Sequence, residues 1–177
     1  IVAGENRFTA YAFNRDNIKS SDARATLTGA DSLKRPATAW VLAFGINRYA
    51  NPAFNLSYSV ADAQAFSDQL KTNQAALGLY QNINVVAVKD QEATKANLLA
   101  ALRRLAGTDS GPLPKGAPKT FAELKPAQPE DAVFIFFAGH GIQLGGQNFL
   151  LPTDVSVDSE RALRYSSLDI QEVVAEM

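Results

Sequence analysis

Cysteine is absent from all 177 residues. That excludes disulfides and thiolate metal sites within the chain, and it leaves the redox compartment unreadable. An excess of one charge is missing too: 17 Lys and Arg stand against 18 Asp and Glu, a formal net charge of -1. With no basic stripe either, nothing points to nucleic acid or to an anionic membrane surface. No apolar run approaches the roughly 20 residues that span a bilayer. The chain opens at Ile1 rather than Met and carries no signal-peptide pattern, so a fragment or a processed chain is expected. Histidine occurs once. What remains is 46% hydrophobic and 20% charged, a globular balance. The length suffices for one well-buried domain with an extension.

The lone histidine stands in Asp131-Ala-Val-Phe-Ile-Phe-Phe-Ala-Gly-His-Gly141. Val133 to Phe137 is an unbroken β-branched and aromatic run, too short for a comfortable helix and suited to a strand buried on both faces of a parallel sheet. It ends in Gly139-His140-Gly141, where two glycines let the backbone come close to a substrate. In open α/β sheets, ligands and chemistry collect at the carboxyl ends of strands. His140 is therefore the first candidate for chemistry, against the plainer reading of a polar turn residue.

Residues 1 to 36 read as an extension. Arg7–Phe13 alternates weakly and fits one strand; Asn14 to Ser32 is polar and mixed, as expected of a connecting segment closed by Pro36. The folded domain is expected over residues 37 to 177. Trp40–Ile46 is a second buried strand, with Asn47, Arg48 and Tyr49 at its carboxyl end. Ser59 and Asp62 have the spacing of a capping box; Ala63, Phe66, Leu70 and Leu77 then recur at helical spacing before Gly78. Asn84–Val88 predicts a third strand. Thr94 opens a helix whose buried face is Leu98, Ala101, Leu102 and Leu105, ended by Gly107.

Pro112, Pro114, Pro118, Pro126 and Pro129 make residues 107 to 130 loop-like, either a tolerated insertion or a functional segment. Lys115, Lys119 and Lys125 there would be open to a protease that prefers basic residues. Gly145-Gly146 reads as a tight hairpin turn, and Asp169 starts a last helix. Strands alternating with helices imply an α/β fold with a mostly parallel sheet.

The blocks Val41–Tyr49 (VLAFGINRY), Leu56–Ala63 (LSYSVADA), Asp131–Gly141 (DAVFIFFAGHG) and Asn148–Asp154 (NFLLPTD), in this order, resemble the caspase-like clan of cysteine peptidases, in its bacterial and metacaspase-type branch. The resemblance covers Trp40 to Met177 and implies an α/β/α sandwich. In bacterial relatives the domain often follows a β-propeller, and Arg7–Ser20 is similar to the stretch joining the two. His140 then matches the dyad histidine, and Gly141 the residue whose N–H holds the oxyanion. Asp62 matches an acidic residue lining the primary pocket, which favours Arg or Lys; it is equally the third residue of the capping box. Ala138 is expected beside the substrate. Leu56 stands where animal caspases carry the arginine that selects aspartate.

The family's nucleophilic cysteine follows the histidine by roughly 50 residues, beyond Met177. A downstream segment or a second chain would have to supply it, and this chain alone is expected to be inactive. Asp154, Asp158 and Glu160 lack the spacing of a hard-cation cage, so no metal and no cofactor are expected. Expected partners are the Cys-bearing segment or chain and protein or peptide substrates with Arg or Lys at the cleaved position. The alternative is a non-catalytic caspase-like scaffold or regulator. A nucleotide-binding reading is poor, because no glycine-rich phosphate loop follows Ile46. The compartment stays unassigned.

Overall fold

The computed structural model describes residues 1–177. The chain divides into Ile1–Pro36 and Ala37–Met177. In the first unit, β1 (Gly4–Ala10) pairs antiparallel with β2 (Ala23–Gly29), Phe8 opposite Ala25 and Asn6 opposite Leu27. Two expectations are corrected here. The strand begins at Gly4 and stops at Ala10, short of Phe13, and the stretch read as a connector contains a second strand. The physical reason is that both strands are almost wholly exposed, so main-chain pairing rather than burial holds them and the side-chain pattern says little.

The second unit is built on a three-stranded parallel sheet in the order β4-β3-β5: β3 is Thr38–Gly45, β4 is Asn82–Lys89 and β5 is Ala132–Ala138. The central strand is β3, buried from Ala39 onward. Its two faces differ. Trp40, Leu42 and Phe44 join a core cluster with Val86, Val88 and the α2 residues (helix Lys95–Ala106) Leu98, Ala101, Leu102 and Leu105. Ala39, Val41, Ala43 and Gly45 are small and let helix α1 (Ser59–Leu77) come close; a Cβ on Gly45 would sit 2.7 Å from the Ser59 carbonyl oxygen and 2.8 Å from Val60 Cα. The first turn of α1 thus lies against the carboxyl end of β3. Phe66 stacks on Phe136 of β5, ring centroids 4.3 Å apart.

The run Val133–Phe137 is a strand, but not one buried on both faces. It lies at the sheet edge, half-buried, with Ile135 38% exposed. An apolar run reports that a strand is covered over most of its length; it does not report whether a neighbour pairs with its outer edge. Leu77, expected on the buried face of α1, is exposed at its last residue, before the left-handed cap Gly78. Thr94 and Gly107 cap α2 as read. The proline-rich stretch is anchored: Phe121 is fully buried and Leu124 nearly so.

At the amino end of the sheet, Asp131 accepts hydrogen bonds from Thr38 N (2.7 Å), Trp40 Nε1 (3.2 Å) and Gln128 N (2.9 Å). Beyond β5, a second sheet runs β6 (Gly141–Leu144), β7 (Gln147–Leu150) and β8 (Leu168–Asp169), all antiparallel, with α3 (Glu160–Ser166) before β8 and α4 (Ile170–Glu176) after it. Gly145 and Gly146 both have positive φ, as the two-residue turn requires.

Candidate active site

The carboxyl ends of β3 and β5 meet where Ile46 N donates to Ala138 O at 3.0 Å. Ala138 is thereby committed to the parallel ladder by its carbonyl. Past Ile46 the chain makes a loop of twelve residues, 47–58, which side chains hold in shape. One oxygen of Asp90 accepts from Asn47 N (2.8 Å) and Arg48 N (2.9 Å); Asp90 itself sits at φ 46°, a conformation Asp tolerates better than most residues. Asn55 Oδ1 accepts from Tyr49 N, and Asn51 Oδ1 from Ala53 N. Thr153, from the segment after β7, donates its hydroxyl to Arg48 O (2.7 Å), and its carbonyl accepts from Ala50 N.

This loop holds His140. Tyr49, 6% exposed, accepts a hydrogen bond on its hydroxyl from His140 N (2.8 Å), and its ring centroid lies 5.3 Å from the imidazole. Phe54 packs edge-on to the same imidazole at 5.7 Å, and its carbonyl oxygen lies 2.9 Å from His140 Nε2. A carbonyl can only accept, so Nε2 carries the proton in the neutral ring and Nδ1 keeps the lone pair. Gly139 is required beside this cluster: a Cβ there would lie 2.8 Å from both Phe137 Cε1 and the Tyr49 hydroxyl. Burial raises the Tyr49 phenol above its ordinary pKa of 10.0, with the bond from the His140 backbone opposing.

Gly141, the next residue, is exposed. Leu151 N donates to His140 O (2.9 Å), which makes His140 and Leu151 a bonded pair. At the far end the two-residue turn closes on the pair Leu144 and Gln147. Antiparallel pairs alternate, so Gly141–Leu150 and Gln143–Asn148 are the non-bonded ones. The N–H groups of Gly141 and Gln143 therefore point away from β7.

Asp62 lies in the first turn of α1, exposed and without an ion-pair partner. The expected capping box does not form. The N-cap is Tyr58, with no side-chain cap, and Ser59 is already helical. The first turn is served from outside: Asn47 Oδ1 accepts from Val60 N at 3.2 Å. A short-range pattern was overridden because the loop brings a better-placed acceptor. Leu56 is half-buried against the core, its N–H bonded to Asn47 O.

Asp154 accepts from Lys95 N at the start of α2, Asp158 bonds Ser156, and Glu160 pairs with Arg164. Each of the three is engaged separately. Tyr49 and Phe54 were missed as site residues from sequence. The available signal was weak: two aromatics in a polar loop following a buried strand. No protein-family model matches this chain, and no curated protein matches it either.

Proposed function

We propose that the chain is the histidine-bearing part of a caspase-like cysteine endopeptidase, with the α/β/α architecture of that clan, cleaving after Arg or Lys. The observation that carries this reading is the state of His140. Its Nε2 is tied to the Phe54 carbonyl and its backbone to Tyr49, leaving Nδ1 as the basic nitrogen beside an unpaired Gly141 N–H. In the proposed reaction, Nδ1 takes the proton of a cysteine thiol, and the sulfur attacks the scissile carbonyl. The carbonyl oxygen becomes an oxyanion facing the Gly141 N–H. His140 then passes its proton to the departing amine, leaving a thioester; water, deprotonated by the same nitrogen, releases the acid and restores the thiol. The cysteine comes from a downstream segment or a second chain, since this one has none. Asp62, exposed and unpaired, would meet the substrate's cationic side chain.

The test uses the protein complete with its cysteine. His140→Ala is expected to lower cleavage of an Arg- or Lys-containing peptide by about a hundredfold or more, with the circular dichroism unchanged. Near-normal turnover would remove His140 from the mechanism. The absence of cysteine is also what favours the second reading, a caspase-like scaffold. Finding no cysteine anywhere in the gene product would select it.

A further inference from the structure

Resting on the peptidase reading above, we propose that the outer edge of β6 is a subsite that binds the substrate as an added β-strand. β6 begins one residue after His140 and forms the edge of its sheet, with no strand on its far side. Gly141 and Gln143 are exposed, and their N–H groups point outward, as the alternation of the hairpin requires. Donors on alternate residues of a strand are spaced roughly 6.8 Å apart. That matches carbonyls two residues apart in an extended peptide, the arrangement by which sheet edges recognise polypeptide. A carbonyl held by Gly141 N–H is the one placed for reaction at His140; the carbonyl two residues away falls to Gln143 N–H. Alongside, a cleft of about 340 Å³ is lined by Ile142, Gln143, Asn148, Phe149 and Ile170, where one substrate side chain can settle. The ligand class is thus an extended, unmodified peptide backbone, read without regard to most of its side chains.

The experiment separates backbone from side chain at one position. Gln143→Pro deletes an outward N–H while sparing the β6–β7 ladder, and proline is tolerated at a sheet edge; Gln143→Ala keeps the N–H. The probe is a pentapeptide, Ala-Arg-Ala-Val-Ala, blocked at both ends and titrated into isotope-labelled chain. The Gly141 and Gln143 amide resonances are expected to move. Gln143→Pro should weaken binding on the order of tenfold, and Gln143→Ala, which keeps the N–H and loses only a cleft-lining side chain, should weaken it clearly less. Equal effects of the two variants, or none, would overturn the subsite. If the proline variant misfolds, amide exchange in the parent decides: the peptide must slow exchange at Gly141 and Gln143, and unchanged rates there overturn the proposal. This outcome is independent of the test on His140. Loss of cleavage in His140→Ala with no effect at Gln143 sinks the subsite alone, whereas peptide binding at β6 with no role for His140 sinks the peptidase reading alone.

Discussion

At the amino end of the parallel sheet, Asp131 gathers three donors, the backbone N–H of Thr38 and Gln128 and the indole N–H of Trp40. At the carboxyl end, Asp90 gathers two, from Asn47 and Arg48. The device is the same: one carboxylate satisfies several N–H groups that strand termini would otherwise leave unmet. The setting differs. Around Asp131 the backbone is in ordinary conformations, and the one unmet group beside it is a buried carboxylate oxygen of Glu130. Around Asp90 the chain accepts a left-handed aspartate, glycines with no room for a Cβ at 45 and 139, and a histidine with one ring nitrogen spare. The two ends thus differ in backbone strain, which gathers at the carboxyl end, where the candidate site lies.

That contrast can be broken by substitution. Asp131→Ala strands the donors of Thr38, Trp40 and Gln128 and is expected to cost about 3 kcal/mol, seen as a lowered urea midpoint, with peptide cleavage by the complete protein unchanged below the transition. A drop in cleavage would mean that the two ends are coupled. Asp90→Ala is expected to cost about 2 kcal/mol and, in addition, to reduce cleavage, because the loop carrying Tyr49 and Phe54 loses its anchor. Asp90→Asn, which keeps an acceptor and tolerates positive φ, should restore most of both. Equal losses in the two variants would show that the charge, and not the acceptor geometry, holds the loop.

Tyr49→Phe removes the acceptor for His140 N and should have a smaller effect, about 1 kcal/mol, together with a change in alkaline behaviour. The folded phenol titrates above its ordinary 10.0, chiefly through burial. The folded state therefore holds the proton more tightly than the unfolded one. This contribution is complete below the unfolded pKa and is lost as pH rises through the folded pKa. Stability of the parent should fall above pH 10.0 more steeply than that of the phenylalanine variant; parallel curves would place Tyr49 outside the titration. Asp62→Ala should be the mildest. It caps nothing, so stability should shift by less than about 1 kcal/mol, while the proposed preference for Arg or Lys should weaken. A preference left intact would free Asp62 from the pocket.

The periodic parts of the domain were legible in its residues. β3, β4 and α2 follow from apolar runs bounded by Thr94 and glycine caps, because burial on a strand or a helix face writes itself into local spacing. The hairpin β1–β2 was half legible, since its strands bury almost nothing. Ser59 and Asp62 looked like a cap and are not one, because Asn47, twelve residues before Ser59 in the chain, reaches Val60 first. The same limit hid Tyr49 and Phe54. His140 could be picked from its place after β5, but what grips its ring comes from a loop 86 residues away in sequence, through a carbonyl that every residue possesses.

The segment between α2 and β5 has one more consequence. Lys115 and Lys125 are exposed, whereas Phe121 and Leu124 between them are sunk in the core. A cut at Lys115 would leave the new chain end tethered by those two side chains, and β5 still zipped to β3 along seven paired residues. The nicked molecule would migrate as two fragments in detergent yet sediment as one particle in native buffer.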